Sequence, residues 1–248
     1  MPPAESAKRK RIVAQSGDVF AFSLSKGRFG FGRVLLNVFQ LCKLGAMQIR
    51  ESTDAELLVE LRRIAKPDAS ISAEEFLATP ALHSEYWFDK EIRTGVLPIV
   101  AYAPVSPDSI DFPESFLHSD ESVFLCKGDI QAPITSPKGL AKRLGDQENW
   151  PDAHHTHTEI YSLTGITPTP LPNTSWGVYQ PHFEAMLRGK REWIQPGDDL
   201  RVHPDRAKVW KMAALDPARS YDDLAKERGV ATRAELLTVN LKAKIAKR

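Results

Sequence analysis

A chain of 248 residues is long enough to bury a large core without a disulfide or a metal to stabilise it. Its hydrophobic fraction of 42% and charged fraction of 26% exclude global disorder. The 33 basic and 32 acidic residues give a net charge of +1, which argues against a dedicated nucleic-acid-binding protein. No apolar run is long enough to span a membrane, and two cysteines, Cys42 and Cys126, are typical of a reducing compartment. We therefore expect a cytoplasmic globular protein that does not contact a membrane.

Two apolar runs near the N-terminus predict a β-hairpin. The first covers Asp18–Leu24 and the second covers Arg28–Leu36, with a short glycine-bearing turn between them. The aromatic residues lie two apart within each run, so each pair shares one face of its strand. The rings that we expect to be buried are Phe20, Phe22, Phe29 and Phe31. Glycine inside the second run, Gly32 above all, predicts a bulge, a bend or a close approach in a strongly curved sheet or partial barrel.

The next elements are predicted by capping signals and hydrophobic periodicity. Thr53 and Glu56 form a capping-box pattern, and apolar residues at helical spacing from Leu57 to Ala65 predict a helix that ends before Pro67. Further predicted elements are a short helix that begins after Ser72 and strands within Val96–Ala103 and Ser122–Lys127. Residues 10–130 are therefore predicted to form a β-rich α+β domain with four or five strands.

The second half of the chain has a different composition. Residues 131–180 are rich in proline, which predicts a long connection with one short helix at Lys138–Leu144. Residues 181–248 are predicted to be helical, with helices at His182–Arg188, Asp205–Ala214, Ser220–Arg228 and Thr232–Lys247. The expected fold class is α+β: a curved N-terminal β-sheet or small partial barrel with flanking helices, a Pro-rich connection, and a helical C-terminal part.

Patterns that support catalysis are weak. His154, His155 and His157 form the densest group of metal-capable side chains, which leaves a metal-dependent enzyme as one hypothesis. The group lacks the spacing of known zinc motifs, however, and an exposed polar loop is the simpler interpretation. The chain also has no nucleophile-elbow motif and no glycine pattern of a nucleotide-binding loop. We therefore predict no catalytic residue, no metal and no cofactor.

A basic run at Lys8–Arg11 supports an alternative function. Together with a curved N-terminal sheet, this basic tail would suit contact with the phosphates of a nucleic acid. Solvated surface charge is the simpler interpretation of such a run.

The N-terminal hairpin also carries a recognisable order of residues. A Gly-Asp pair precedes a strand with Phe and Ala, and a turn and a G-x-F-x-x-G-x-V strand follow. The matching positions are Gly17, Asp18, Phe20, Ala21, Leu24, Gly27, Phe29, Gly32, Arg33 and Val34. This pattern resembles the opening of the immunity protein 26 family of bacterial polymorphic-toxin systems. The resemblance implies an immunity-protein-like domain within residues 10–130 that binds and neutralises a cognate, co-encoded toxin stoichiometrically. It brings no established catalytic residues.

Two arginines of the hairpin are candidates for contact with such a partner. The centres of protein interfaces favour aromatic residues and arginine, which makes Arg28 and Arg33 the tentative binding residues. The alternative is that both are ordinary solvated charges on a strand, and the sequence favours that interpretation.

Overall fold

The computed structural model describes residues 13–48, 56–119, 122–134, 183–184, 187–188, 200–202 and 206–245. Five strands form an antiparallel sheet in the order β4-β3-β2-β1-β5: β1 Asp18–Ser23, β2 Phe29–Asn37, β3 Glu56–Lys66, β4 Ala81–Phe88 and β5 Ile99–Tyr102. Three strands form a second antiparallel sheet in chain order: β6 Glu114–Ser119, β7 Ser122–Lys127 and β8 Ile130–Pro133. Neither sheet closes into a barrel, and the predicted α+β class is confirmed.

The helices lie between the strands and after them. In the described part of the chain they are α1 Val38–Lys43, α2 Ala73–Ala78, α3 Lys90–Arg93, α4 Arg206–Met212, α5 Tyr221–Arg228 and α6 Arg233–Ile245. None of these described helices is long and apolar enough to cross a membrane. The helices predicted after Ser72, at Ser220–Arg228 and at Thr232–Lys247 are confirmed as α2, α5 and α6. The side chain of Ser72 accepts a hydrogen bond from Glu75 N, Ser220 accepts one from Asp223 N, and Gly229 ends α5 at φ 68°.

The predicted hairpin is confirmed, and its glycines make room for aromatic rings. Phe20 lies opposite Gly32 and Phe22 lies opposite Gly30, so each ring and its glycine share one face of the sheet. A Cβ at either glycine would overlap the facing ring. Both rings are fully buried, and the pairing of β2 with β3 shifts between Gly30 and Gly32. Gly32 thus lies at a bulge and at a close approach, as predicted.

The four hairpin rings do not share one face of the sheet. Phe20 and Phe22 pack in one cluster with Trp87, whereas Phe31 and the partly buried Phe29 belong to a cluster on the other face. Three of the four rings are fully buried, so the prediction of buried rings is confirmed for Phe20, Phe22 and Phe31.

The helix expected after Thr53 is wrong, because residues 56–66 form strand β3. This strand pairs with β2 on one side and with β4 on the other. Both of its faces are buried: Leu57 and Leu61 pack in the cluster of Phe20, whereas Leu58 packs in the cluster that contains Trp210. A strand buried on both faces carries apolar residues at odd and even positions, and such a run also satisfies helical spacing.

The C-terminal helices share a core with the N-terminal part of the chain. Leu35 and Leu36 of β2 belong to the same buried cluster as Trp210 of α4 and Leu236 of α6. Polar contacts join the same regions, because Asn240 of α6 accepts hydrogen bonds from the Ser16 hydroxyl and from Asn37 N. The division into units of residues 10–130, 131–180 and 181–248 stays a prediction.

Several other predictions lie outside the described residues. They concern the basic tail Lys8–Arg11, most of the Pro-rich connection with its helix at Lys138–Leu144, and the histidines His154, His155 and His157. Of the helix expected at His182–Arg188, the structure describes residues 183, 184, 187 and 188.

Candidate binding site

A recess of about 450 Å³ lies at the turn of the β1–β2 hairpin. One wall is the turn itself, where Ser25, Lys26 and Arg28 line the recess, and a second wall is β3, which contributes Arg63 and Ala65. Leu24 N donates to Arg28 O across the turn, at 2.7 Å. Lys26 adopts a left-handed backbone (φ 59°, ψ 33°), which costs a residue with a Cβ about 1–2 kcal/mol. The turn therefore places the backbone of Lys26 and Arg28 beside β3, with both side chains exposed.

The third wall of the recess comes from a segment about 160 residues further along the chain. Phe183 anchors this segment, because its buried ring stands edge-on against Phe22 at 4.7 Å between ring centroids. Glu184 accepts hydrogen bonds from Ser25 N and from the Ser25 hydroxyl, the latter at 2.8 Å. Leu187 and Arg188 complete the wall. These contacts fix the segment to the hairpin turn.

Positive charge dominates the recess. Lys26, Arg28, Arg63 and Arg188 are all exposed, and among the described residues that line the recess Glu184 is the one carboxylate. Arg188 lies 3.9 Å from Glu184, a separation at which an exposed pair contributes little. In the part of the chain that the structure describes, no ion pair or side-chain hydrogen bond engages Lys26, Arg28 or Arg63. Three of the cations therefore keep their hydrogen-bond donors available for an outside ligand.

The structure places the two predicted arginines in different environments. Arg28 is exposed at the recess, whereas Arg33 of β2 is only 1% exposed. The Arg33 guanidinium pairs with Glu60 at 2.7 Å, donates to the carbonyl of Pro104, and lies 5.7 Å from the ring centroid of Phe76. Burial lowers the pKa of Arg33 below its usual range, although the neighbouring Glu60 opposes that shift. Arg33 is thus an interior side chain rather than a solvated charge, and it presents almost no surface to a partner.

The other residues of the family-like pattern shape the hairpin. Gly17 has φ 94°, and the ring of Tyr102 occupies the space that a Cβ at Gly17 would need. The carboxylate of Asp18 accepts from Gln15 N at 2.8 Å, which closes the turn before β1. The pattern is therefore explained by backbone geometry and packing, and none of these residues lines the recess.

A second group of charges lies in the interior, at the junction between β6 and α4. The carboxylate of Glu114, which is 0% exposed, accepts from Arg206 at 2.7 and 2.8 Å, from Lys127 at 2.9 Å and from the Trp210 indole N–H at 2.9 Å. Burial favours a raised pKa for Glu114, but the hydrogen bonds and positive charges of these partners outweigh it and lower the pKa. The lowered pKa favours the ionised carboxylate, to which Arg206, Lys127 and Trp210 donate.

Sequence reasoning found Arg28 but missed Arg63, Lys26 and Arg188. Arg63 falls in the segment for which the sequence predicts a helix, whereas the structure places it exposed on β3, next to the buried Arg62. Arg188 reaches the recess through a contact between distant parts of the chain, for which the sequence carries no local signal. In the described ranges no group of three metal-capable side chains could hold a metal ion.

The fold and the recess define a class: an α+β protein with a cation-lined surface recess at the turn of its first hairpin. Comparison with known proteins finds a family match over part of the chain. Residues 15–121, somewhat less than half of the chain, match the family model described as Immunity protein 26. This match confirms the resemblance for the N-terminal part, which carries the immunity protein 26 pattern. No curated protein and no solved structure matches the chain.

Proposed function

We propose that this protein is an immunity protein that binds a cognate, co-encoded toxin and neutralises it stoichiometrically, without turnover. The observation that carries the proposal is the family match over residues 15–121. That range contains the whole five-stranded sheet and the hairpin side of the recess. Within this range the arrangement of side chains suits binding, because the exposed donors of Lys26, Arg28 and Arg63 surround a concave surface.

An inhibitor of this kind acts by occupancy. A specific complex between two proteins buries about 1,200–2,000 Å² in total, so the recess would form one part of a larger interface. Rings buried against glycines fix the backbone of the hairpin that carries the recess, whereas the exposed cations order on binding. The proposed mechanism therefore uses shape and charge, with no covalent chemistry.

The experiment that tests this function measures stoichiometry. The purified chain is titrated against the toxin encoded beside it, at a toxin concentration far above the dissociation constant, and residual toxin activity is recorded. We expect activity to fall linearly and to reach its minimum near one inhibitor per toxin. Complete protection at a far smaller ratio would show turnover and would contradict the proposal, as would the lack of any complex.

A further inference from the structure

We infer that the recess at the hairpin turn binds an acidic segment of the partner protein, with Arg28 and Arg63 holding its carboxylates. This inference rests on the proposed function for the identity of the partner. The recess itself, however, is defined by residues of this chain alone.

Charge is the first argument for an acidic ligand. Four cationic side chains line one recess in a chain whose net charge is only +1. Like charges placed together repel each other, and an anionic ligand relieves that repulsion. Arginine is suited to this task, since its planar guanidinium donates two parallel hydrogen bonds to one carboxylate. Arg28 and Arg63 supply such donors from two adjacent walls.

Shape and lining favour a peptide over a nucleic acid. A volume of about 450 Å³ accommodates a few side chains in one recess, whereas a nucleic-acid backbone follows an extended stripe of positive charge. Leu187 and Ala65 add apolar surface that suits the aliphatic stem of a glutamate. Glu184 adds a negative charge that opposes closely spaced phosphates more than it opposes single carboxylates.

A peptide-binding experiment tests the inference without the toxin. A fluorescein-labelled peptide of alternating Glu and Ser is titrated with the full chain, beside a matched Gln–Ser peptide and a labelled single-stranded DNA, and anisotropy is recorded. We expect the chain to bind the Glu–Ser peptide most tightly. Preferential binding of the DNA, or equal binding of the two peptides, would overturn the inference.

Matched variants locate the binding. The double variant Arg28→Gln/Arg63→Gln is expected to weaken binding of the acidic peptide by about tenfold or more. The control Lys211→Gln/Lys226→Gln removes the same charge from exposed positions on α4 and α5 and is expected to leave binding within about twofold. Glu184→Gln keeps an acceptor for Ser25 but removes the negative charge, so it should tighten binding about two- to fivefold. Equal losses in the two double variants would overturn the inference.

The same variants, titrated against the toxin, separate the two proposals. If the wild-type chain protects at one inhibitor per toxin and Arg28→Gln/Arg63→Gln binds equally well, the recess is not the docking site and the immunity function stands. If the chain binds the acidic peptide through Arg28 and Arg63 but forms no complex with the toxin, the recess stands and the proposed function fails. Loss of toxin binding in Arg28→Gln/Arg63→Gln alone supports both.

Discussion

The two groups of charges in this protein differ in what surrounds them. Around Glu114, the cations Arg206 and Lys127 share one buried carboxylate, which also accepts a hydrogen bond from Trp210. At the hairpin recess, Arg28 and Arg63 are exposed and have no side-chain partner in the described part of the chain. A buried ion group must be satisfied within the molecule, because an unpaired buried charge is very costly. An exposed group carries no such requirement and is free to bind something else.

The same contrast separates Arg28 from Arg33, which are five residues apart in one hairpin. Arg33 faces the interior and meets Glu60, whereas Arg28 stands at the turn beside the recess. Neighbouring arginines in a sequence can therefore serve stability and binding separately. Four experiments test the contrast between the buried and the exposed charges.

Substitution of the buried carboxylate should have the largest effect. Glu114→Gln keeps the shape of the side chain but removes the buried carboxylate charge that Arg206 and Lys127 share, so we expect a loss of about 3–5 kcal/mol of unfolding free energy. Urea denaturation followed by tryptophan fluorescence measures it. Glu227→Gln, which breaks the exposed pair with Arg219, is the control and should leave the midpoint nearly unchanged. Equal midpoints for the two variants would contradict the contrast between buried and exposed charge.

The two hairpin arginines should give a smaller but clear difference. Arg33→Gln removes the donors to Glu60 and Pro104, and we expect a loss of about 1–3 kcal/mol because Glu60 keeps its second partner, Arg62, at 2.7 Å. Arg28→Gln should stay within about 0.5 kcal/mol of the wild type. Urea denaturation measures the unfolding free energy of both variants. A larger loss in Arg28→Gln than in Arg33→Gln would show that the recess arginine serves the fold.

Acid should weaken the junction between β6 and α4. The folded-state pKa of Glu114 is lowered, so its contribution to stability is complete above the unfolded value of about 4.5 and is lost as the pH falls through the folded value. We expect the unfolding free energy to fall in that window. The slope of unfolding free energy against pH should be shallower in Glu114→Gln, because the glutamine side chain does not bind a proton in this pH range. Parallel pH profiles for the two proteins would show that other carboxyls account for the acid sensitivity.

The smallest effect should come from salt. Repulsion among the cations of the recess is screened as ionic strength rises, so salt should raise the melting temperature of the wild-type chain slightly. In Arg28→Gln/Arg63→Gln this gain should shrink, because two of the repelling charges are gone. Thermal unfolding at low and high sodium chloride measures the difference, with Lys211→Gln/Lys226→Gln as the control. If salt raises the melting temperature equally in all three proteins, the salt effect does not come from the cations of the recess.

Local signals in the sequence predicted the parts of the fold that local forces determine. Ser220, Thr232 and Gly229 mark the ends of α5 and α6 because capping acts within one turn of a helix. The hairpin and the close packing at Gly32 were predictable for the same reason, since partners on adjacent strands lie close in sequence. The capping-box pattern at Thr53 predicted a helix where the chain forms β3. Elements distant in sequence bury both faces of this strand, and that tertiary packing outweighs the local preference for a helix.

Prediction of the candidate site was limited in the same way. Arg28 was a candidate because the centres of protein interfaces favour arginine, and its role in binding stays a prediction. Arg33 has the same side chain but lies within β2, where burial and Glu60 of the neighbouring strand make it an interior residue, whereas Arg28 lies at the turn before β2. The wall formed by Leu187 and Arg188 depends on a contact between residues about 160 positions apart, for which one sequence carries no signal.

The bond between Ser16 and Asn240 has a consequence for synthesis. These residues are 224 positions apart, so the contact cannot form until the ribosome has added that length of chain. At about 5–20 residues per second, roughly 10–45 s pass between the emergence of the two partners. During that time the apolar face that Leu35 and Leu36 present to α4 and α6 has no cover from those helices. Completion of this part of the core therefore waits until the last helices have been synthesised.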